Sequence, residues 1–304
     1  MAASPQLQEV IQQLLPDPDA PVPDGPTVQG IRDMMSGVLM RQADFDDVAV
    51  SLADAAGVAC EWLVHEGADP DKRLLYLHGG GYVAGDLDSH RTLCSDISKT
   101  AGVAVLNVDY SLAPESSGSA SFDDGLAAYG WMLQQGPHGA GAPTHCFIAG
   151  DSAGGGLALA VMMGARDAGL AGPTAGVLMS PWVDMLATGN SFETNAATDP
   201  MVQKGALEWM ASLLLPGGED PKDPRWSPLY GSFEGLPPML IHASEIETLL
   251  DDATATAKKA KDAGVDVTLE AVPDVIHVWH ALGREIPEAS AGIDRICEYI
   301  RSHS

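Results

Sequence analysis

Basic side chains are scarce in this chain: 16 Lys and Arg stand against 42 Asp and Glu, for a formal charge of -26. So negative a surface repels phosphate backbones and anionic lipid, which excludes nucleic acid and membranes as partners. Cysteine is also sparse. Cys60, Cys94, Cys146 and Cys297 are too few and too scattered for a disulfide framework, and none forms a C-x-x-C pair. They read as reduced thiols, and the first ten residues show neither a basic stretch nor an apolar run of the secretory type, so the expected compartment is the cytoplasm. Long apolar runs are missing too. The longest small-and-apolar stretch, residues 154–165, falls well short of the ~20 residues that span a bilayer and reads as a buried helix. No repeat of 20–50 residues and no low-complexity linker interrupts the chain.

What is present is the composition of a folded domain: 304 residues, 45% of them hydrophobic, enough for one large or two ordinary domains. Leu7, Val10, Ile11, Leu14 and Leu15 lie at helical spacing before a Pro-Asp-rich break from Pro16 to Pro26, and a second amphipathic piece covers residues 31–40. From Phe45 the period falls to two, through Val48, Val50 and Leu52 and then, past Gly57, through Val58, Cys60, Trp62 and Val64, which predicts an antiparallel strand pair. Short apolar runs at 74–77, 103–108, 147–149, 177–179, 239–241 and 267–271 then alternate with helical stretches, the pattern of a mostly parallel sheet with flanking helices. The first crossover helix is expected to be capped by Asp88 or Ser89 and closed by Gly102. Another, near 248–262, carries Asp251 and Asp252 in its first turn and lysines toward its end, which matches the helix dipole. The stretch 183–226 breaks the alternation and reads as a helical insertion. With residues 1–45 it is placed to cover the strand ends where open α/β sheets bind ligands, leaving 46–304 as the main domain.

The strongest chemical signal is Gly150-Asp151-Ser152-Ala153-Gly154, a G-x-S-x-G between a strand and a helix. A nucleophile elbow needs that context: the turn is strained, small neighbours make room for it, and the helix start faces any charge developing beside the serine. Directly after the strand run 74–77 stands His78-Gly79-Gly80-Gly81-Tyr82. Consecutive glycines leave backbone N–H groups free to hold an oxyanion, and the N–H of Ala153 adds another. The spacing fits neither glycine-rich phosphate loop, G-x-x-x-x-G-K-[ST] or G-x-G-x-x-G. A serine hydroxyl also needs a histidine and a carboxylate, later in the chain and in the order acid, then histidine. His277, in a short loop after the run 267–271, suits the base, whereas His280 reads as packing at a helix start and His303 lies in the tail. For the acid, residues 244–252 present several carboxylates. Glu247 sits in the loop at the strand end, and Asp251 and Glu245 remain open alternatives.

H-G-G-G-Y, G-D-S-A-G-G and the late acid and histidine together resemble the hormone-sensitive lipase family of bacterial α/β-hydrolase esterases, over nearly the whole chain. Tyr110-Ser111-Leu112-Ala113-Pro114-Glu115 is close to the family's Y-R-L-A-P-E. The resemblance implies an α/β-hydrolase fold with a helical cap made from the N-terminus and the insertion. It also implies Glu247 on the family's acid position, with Asp251 on the second acidic one, and His277 in its D-x-I-H pattern. Dimers are common in the family, so a homodimer is expected on that ground. Two departures stand out. Ser111 replaces an Arg, so a charged tie is expected to be missing, and Ser116 to Ser121 replaces H-P-F-P-A-A, so a looser or differently supported loop is expected.

The expected activity is hydrolysis of small short- to medium-chain carboxylic esters by Ser152, His277 and Glu247, with Gly80, Gly81 and Ala153 holding the oxyanion and no metal or cofactor. An amidase or deacetylase with the same residues, and a non-catalytic receptor on the same fold, are the alternatives. The base at position 277 speaks against the receptor.

Overall fold

The computed structural model describes residues 3–15, 25–38 and 47–304. Most of the Pro-Asp-rich break and the end of the second helical piece lie outside them, as does Phe45. The strands are β1 (Val48–Ala55), β2 (Val58–His65), β3 (Asp69–Leu77), β4 (Val103–Val108), β5 (Gln135–Gly136), β6 (Gly139–Ala140), β7 (His145–Asp151), β8 (Ala175–Met179), β9 (Met239–Ser244) and β10 (Val267–Val272). The helices are α1 (Pro5–Leu14), α2 (Val28–Val38), α3 (Leu87–Ile97), α4 (Ala120–Met132), α5 (Ala153–Asp167), α6 (Ser191–Thr194), α7 (Lys204–Leu214), α8 (Leu250–Asp262) and α9 (Pro287–Ser302).

Eight strands form one sheet in the order β1-β2-β4-β3-β7-β8-β9-β10, while β5 and β6 make a separate small hairpin. The first two pairings, β1 with β2 and β2 with β4, are antiparallel, and every later one is parallel. Parallel strands are buried on both faces, so each apolar run splits by alternation. Leu75 and Leu77 of β3 join Ile148 under α4 and α5 on one face, and Leu74 and Tyr76 join Phe147 under α3 and α9 on the other. A third apolar cluster joins Leu7 and Val10 of α1 to Val275, Ile276, Trp279 and Leu282 in the segment after β10. Ser4 caps α1, and its hydroxyl and N–H both donate to Glu288 of α9 at 2.7 and 2.6 Å. Among the described residues no helix is long and apolar enough to cross a membrane.

Several expectations need correction. The cap of α3 is Asp86, not Asp88 or Ser89: its carboxylate accepts the Ser89 N–H at 2.7 Å, and the Ser89 hydroxyl accepts the Asp86 N–H in return. Such a box needs its polar residue outside the first turn, one step before Leu87. Gly102, at φ 72°, closes a wide turn over Ser98–Gly102 and not α3 itself. Asp252 is more than a first-turn charge. It is buried, accepts the N–H groups of Val183 and Asp184 at 2.8 and 3.2 Å, and burial pushes its carboxyl well above the ordinary range despite those bonds. Asp251 likewise accepts the Ser191 N–H at 3.0 Å, so both aspartates tie α8 to the segment following β8.

Candidate active site

Loops at the C-terminal ends of β3, β7, β9 and β10 converge on one spot. Ser152 follows β7 with φ 52° and ψ -123°, a left-handed backbone that strains any side-chain-bearing residue. Three hydrogen bonds hold it there: its N–H donates to Met179 O at 2.8 Å, and its carbonyl accepts from Trp182 N at 2.9 Å and Gly156 N at 3.1 Å. The turn closes so tightly that a Cβ on Gly154 would collide with the carbonyls of Leu77 and His78.

His277 stands between the serine and a buried carboxylate. Its Nε2 lies 2.9 Å from Ser152 Oγ and its Nδ1 lies 2.6 Å from Glu247 Oε2. With the Nδ1 proton donated to the carboxylate, Nε2 is left to accept from the serine hydroxyl. Glu247 is fully buried, and its other oxygen accepts the Ser244 N–H at 2.8 Å, which fixes the side chain. Burial pushes the His277 imidazole down. The hydrogen bond and charge of Glu247, with Asp199 and Asp151 behind it, push harder the other way and set it above its ordinary value. The remaining acid candidates are elsewhere: Glu245 is exposed and Asp251 is bound to Ser191.

The glycine loop is held from beneath. Gly80 and Gly81 have φ of 118° and 63°, and the Gly80 carbonyl accepts from Val83 N and Ala84 N at 3.1 and 3.0 Å. No described residue accepts from the backbone N–H of Gly80, Gly81 or Ala153. Asp151 supports the loop: it accepts the Gly79 N–H at 3.1 Å and the Tyr76 hydroxyl at 2.7 Å, with His90 Nε2 at 3.3 Å. Burial alone would raise its carboxyl, but His90, Tyr76 and His78 outweigh burial and hold it below the usual range. His78 stacks on Tyr110 with centroids 4.2 Å apart, and burial together with the nearby His90 pushes it down to about 4. It is neutral at pH 7, and the Tyr110 hydroxyl donates to its carbonyl at 2.6 Å.

A cavity of about 120 Å³ opens over these groups. Its floor is Gly80, Gly81, Ser152 and His277, and its roof is Ile31, Met34 and Met35 of α2 with Ala206, Leu207 and Met210 of α7. A larger polar hollow of about 470 Å³, beside Asp86, Asp109 and Glu115, contains none of the floor residues. Among the described residues no cluster of three or more His, Cys, Asp or Glu is arranged to hold a metal ion.

A family model described as the α/β-hydrolase fold matches residues 74–281. The crystal structure of an esterase from the bacterial hormone-sensitive lipase family aligns with a TM-score of 0.91 and 43% identity, covering 100% of this chain and 99% of that one. The chain belongs to the bacterial hormone-sensitive lipase family of α/β-hydrolases. Its curated relatives include an acetyl-hydrolase of Streptomyces hygroscopicus, 39% identical over 264 residues and 86% of each chain. An ethyl acetate hydrolase of Pseudomonas putida is 36% identical over 233 residues, 76% of this chain and 73% of that one.

The Ser116 to Ser121 stretch is held by hydrogen bonds at both of its ends and at Gly118. The Ser121 hydroxyl donates to Ser111 O at 2.8 Å, Ser111 N donates to Asp124 at 2.8 Å, and Gly118 N donates to Leu214 O of α7 at 2.7 Å. A separate ion pair lies nearby: Arg32 of α2 makes a two-pronged contact with Glu115 at 2.9 and 2.8 Å and donates to Val83 O at 2.9 Å. Sequence reasoning missed four hydrogen bonds that support the candidate site. Ser180 Oγ accepts the Val278 N–H at 3.2 Å, and Ser244 Oγ donates to Val275 O at 2.6 Å. Asp199 accepts from Thr248 N at 2.8 Å, and Asn195 donates to Glu247 O at 2.9 Å. Their partners are distant in sequence, so no local pattern marks them.

Proposed function

We propose that this protein is a serine carboxylesterase that works through an acyl-enzyme. The observation that carries the reading is the unbroken hydrogen-bond line from Ser152 Oγ through His277 to Glu247. Ser152 attacks the ester carbonyl while His277 Nε2 takes its proton, and Glu247 keeps the imidazole in the tautomer that can accept it. The developing oxyanion is held by the N–H groups of Gly80, Gly81 and Ala153. His277 returns the proton to the leaving alcohol, and water then releases the acid by the same steps. Family membership and relatives named for the hydrolysis of acetyl groups and ethyl acetate support an ester as substrate.

The described part of residues 1–45 that includes α2, with residues 183–226, acts as a cap on the catalytic domain, a reading supported by the side chains of α2 and α7 that line the cavity with the serine. Four buried thiols without a disulfide suit a cytoplasmic enzyme. The test is hydrolysis of p-nitrophenyl acetate and longer p-nitrophenyl esters, beside the matched anilides. Wild-type protein should turn over esters and spare anilides, and Ser152→Ala should lose about 10⁴-fold or more in kcat. Unchanged hydrolysis in that variant would overturn the mechanism, and faster anilide turnover would make the protein an amidase.

A further inference from the structure

A second set of buried histidines joins the segments that bring acid and base together. His242 lies in β9, whose end leads into the Glu247 loop, and His280 lies in the turn Trp279–Leu282 just past His277. Their rings meet side by side: His242 Nδ1 is 2.9 Å from His280 Nε2, and both residues are almost wholly buried. On its far side His242 Nε2 is 3.3 Å from Glu270 Oε2, off the line of a good hydrogen bond, and Glu270 accepts from Arg295 of α9 at 2.7 Å. The chain Arg295–Glu270–His242–His280 thus runs from the surface to the segment behind the base.

The hydrogens can be assigned from the surroundings. Burial first and His242 second hold His280 neutral, far below its ordinary value, with Asp151 pulling weakly the other way. A neutral ring has one N–H. His280 Nδ1 has no partner among the described residues, so a proton there would be an orphan donor in apolar packing against Trp279. The His280 proton therefore sits on Nε2 and is donated to His242 Nδ1.

Between His277 and His280 the backbone is under strain: Val278, a β-branched residue, is left-handed at φ 50° and ψ 41°. Such a conformation persists only where neighbours over-determine it. Ser180 Oγ secures its N–H, and the His242 ring secures His280 on its far side. Ser180 is itself tied back to the same strand, its N–H donating to His242 O at 2.7 Å.

We propose that His242 and His280 are positioning residues, a buried imidazole pair that holds the base-bearing loop in register with the acid-bearing strand and so keeps His277 between Glu247 and Ser152. The proposal rests on the serine esterase reading above, and Ser152→Ala tests that reading separately.

The experiment measures kcat and KM on p-nitrophenyl butyrate per active site, with sites counted by stoichiometric labelling with a sulfonyl fluoride. His242→Leu, which removes the acceptor, should lower kcat per active site tenfold or more with KM within about twofold. His242→Asn, whose amide oxygen can sit near the lost Nδ1, should recover most of the rate. A pair that only stabilises the fold would lower the melting temperature and the fraction of active sites, yet leave kcat per site unchanged. Such a result in His242→Leu would overturn the proposal, as would an equal loss in the Asn variant. If His242→Leu does not fold, Glu270→Leu at a partly exposed position decides: a three- to tenfold fall in kcat per site upholds the proposal, and a wild-type value overturns it.

Discussion

The floor and the roof of the cavity are built by different physics. Beneath the serine, nearly every group is fixed by directed hydrogen bonds: Asp151 to Gly79 and Tyr76, Tyr110 to the His78 carbonyl, Glu247 to Ser244 N. Over the serine, α2 and α7 present Ile31, Met34, Met35, Leu207 and Met210, whose side chains offer only apolar contact. Hydrogen bonds between buried groups have steep distance and angle dependence, so they suit donors and acceptors that must meet a transition state. Thioether and alkyl chains adapt to shape and suit selection among acyl groups. Changes to the floor should therefore appear in kcat, and changes to the roof in KM and chain-length preference.

The largest effect after loss of the serine is expected for Glu247→Gln. Removing the carboxylate frees the His277 tautomer and should cost about 10³–10⁴-fold in kcat with little change in KM, read by steady-state kinetics. A loss under tenfold would place the working carboxylate elsewhere. A second floor effect concerns pH. The base acts only when neutral, and the imidazole of His277 lies above its ordinary value of 6.5, so the acid limb of kcat/KM should have its midpoint above pH 6.5. Glu247→Gln removes the main group that raises it. The limb should then move to lower pH, and an unmoved limb would assign it to another group.

Roof changes should be smaller. Met210 lies against Gly81 so closely that a Cβ on that glycine would overlap its sulfur. Met210→Ala should enlarge the cavity, lower KM for longer acyl esters a few-fold relative to acetate, and leave kcat on acetate within about threefold. If it lowered kcat as much as Glu247→Gln does, the division between floor and roof would fail. Smallest of all is Arg32→Ala. Its partner Glu115 is exposed, so screening weakens the pair, and the variant should change KM no more than about threefold, less still in molar salt.

The local parts of this architecture were legible in the residues alone. Gly150 to Gly154 and His78 to Gly81 were readable because a sharp turn or a free N–H demands glycine at that spot, whatever the remote environment. The parallel sheet was readable from apolar runs for a similar reason, since a doubly buried strand must be apolar along its length. The cap of α3 was missed because Asp86, Asp88 and Ser89 are all good caps, and only the turn's geometry chooses among them. Asp252 stands in the first turn of α8 as expected, but its burial was not legible, because a carboxylate there looks the same in sequence whether it faces water or two backbone N–H groups.

The sequence by itself determined the G-x-S-x-G turn, the glycine loop, the chain order of Ser152, Glu247 and His277, and the large excess of acidic over basic side chains. Only the tertiary structure decided which carboxylate faces His277, that Asp151 underlies the glycine loop, that Arg32 ties α2 to Glu115, and that His242 meets His280. The reason is separation along the chain: Ser152 and His277 lie 125 residues apart, Tyr76 and Asp151 lie 75 apart, and Arg32 and Glu115 lie 83 apart. Periodicity and turn chemistry act over a few residues. Contacts across such distances exist only once the sheet has brought the strand ends together.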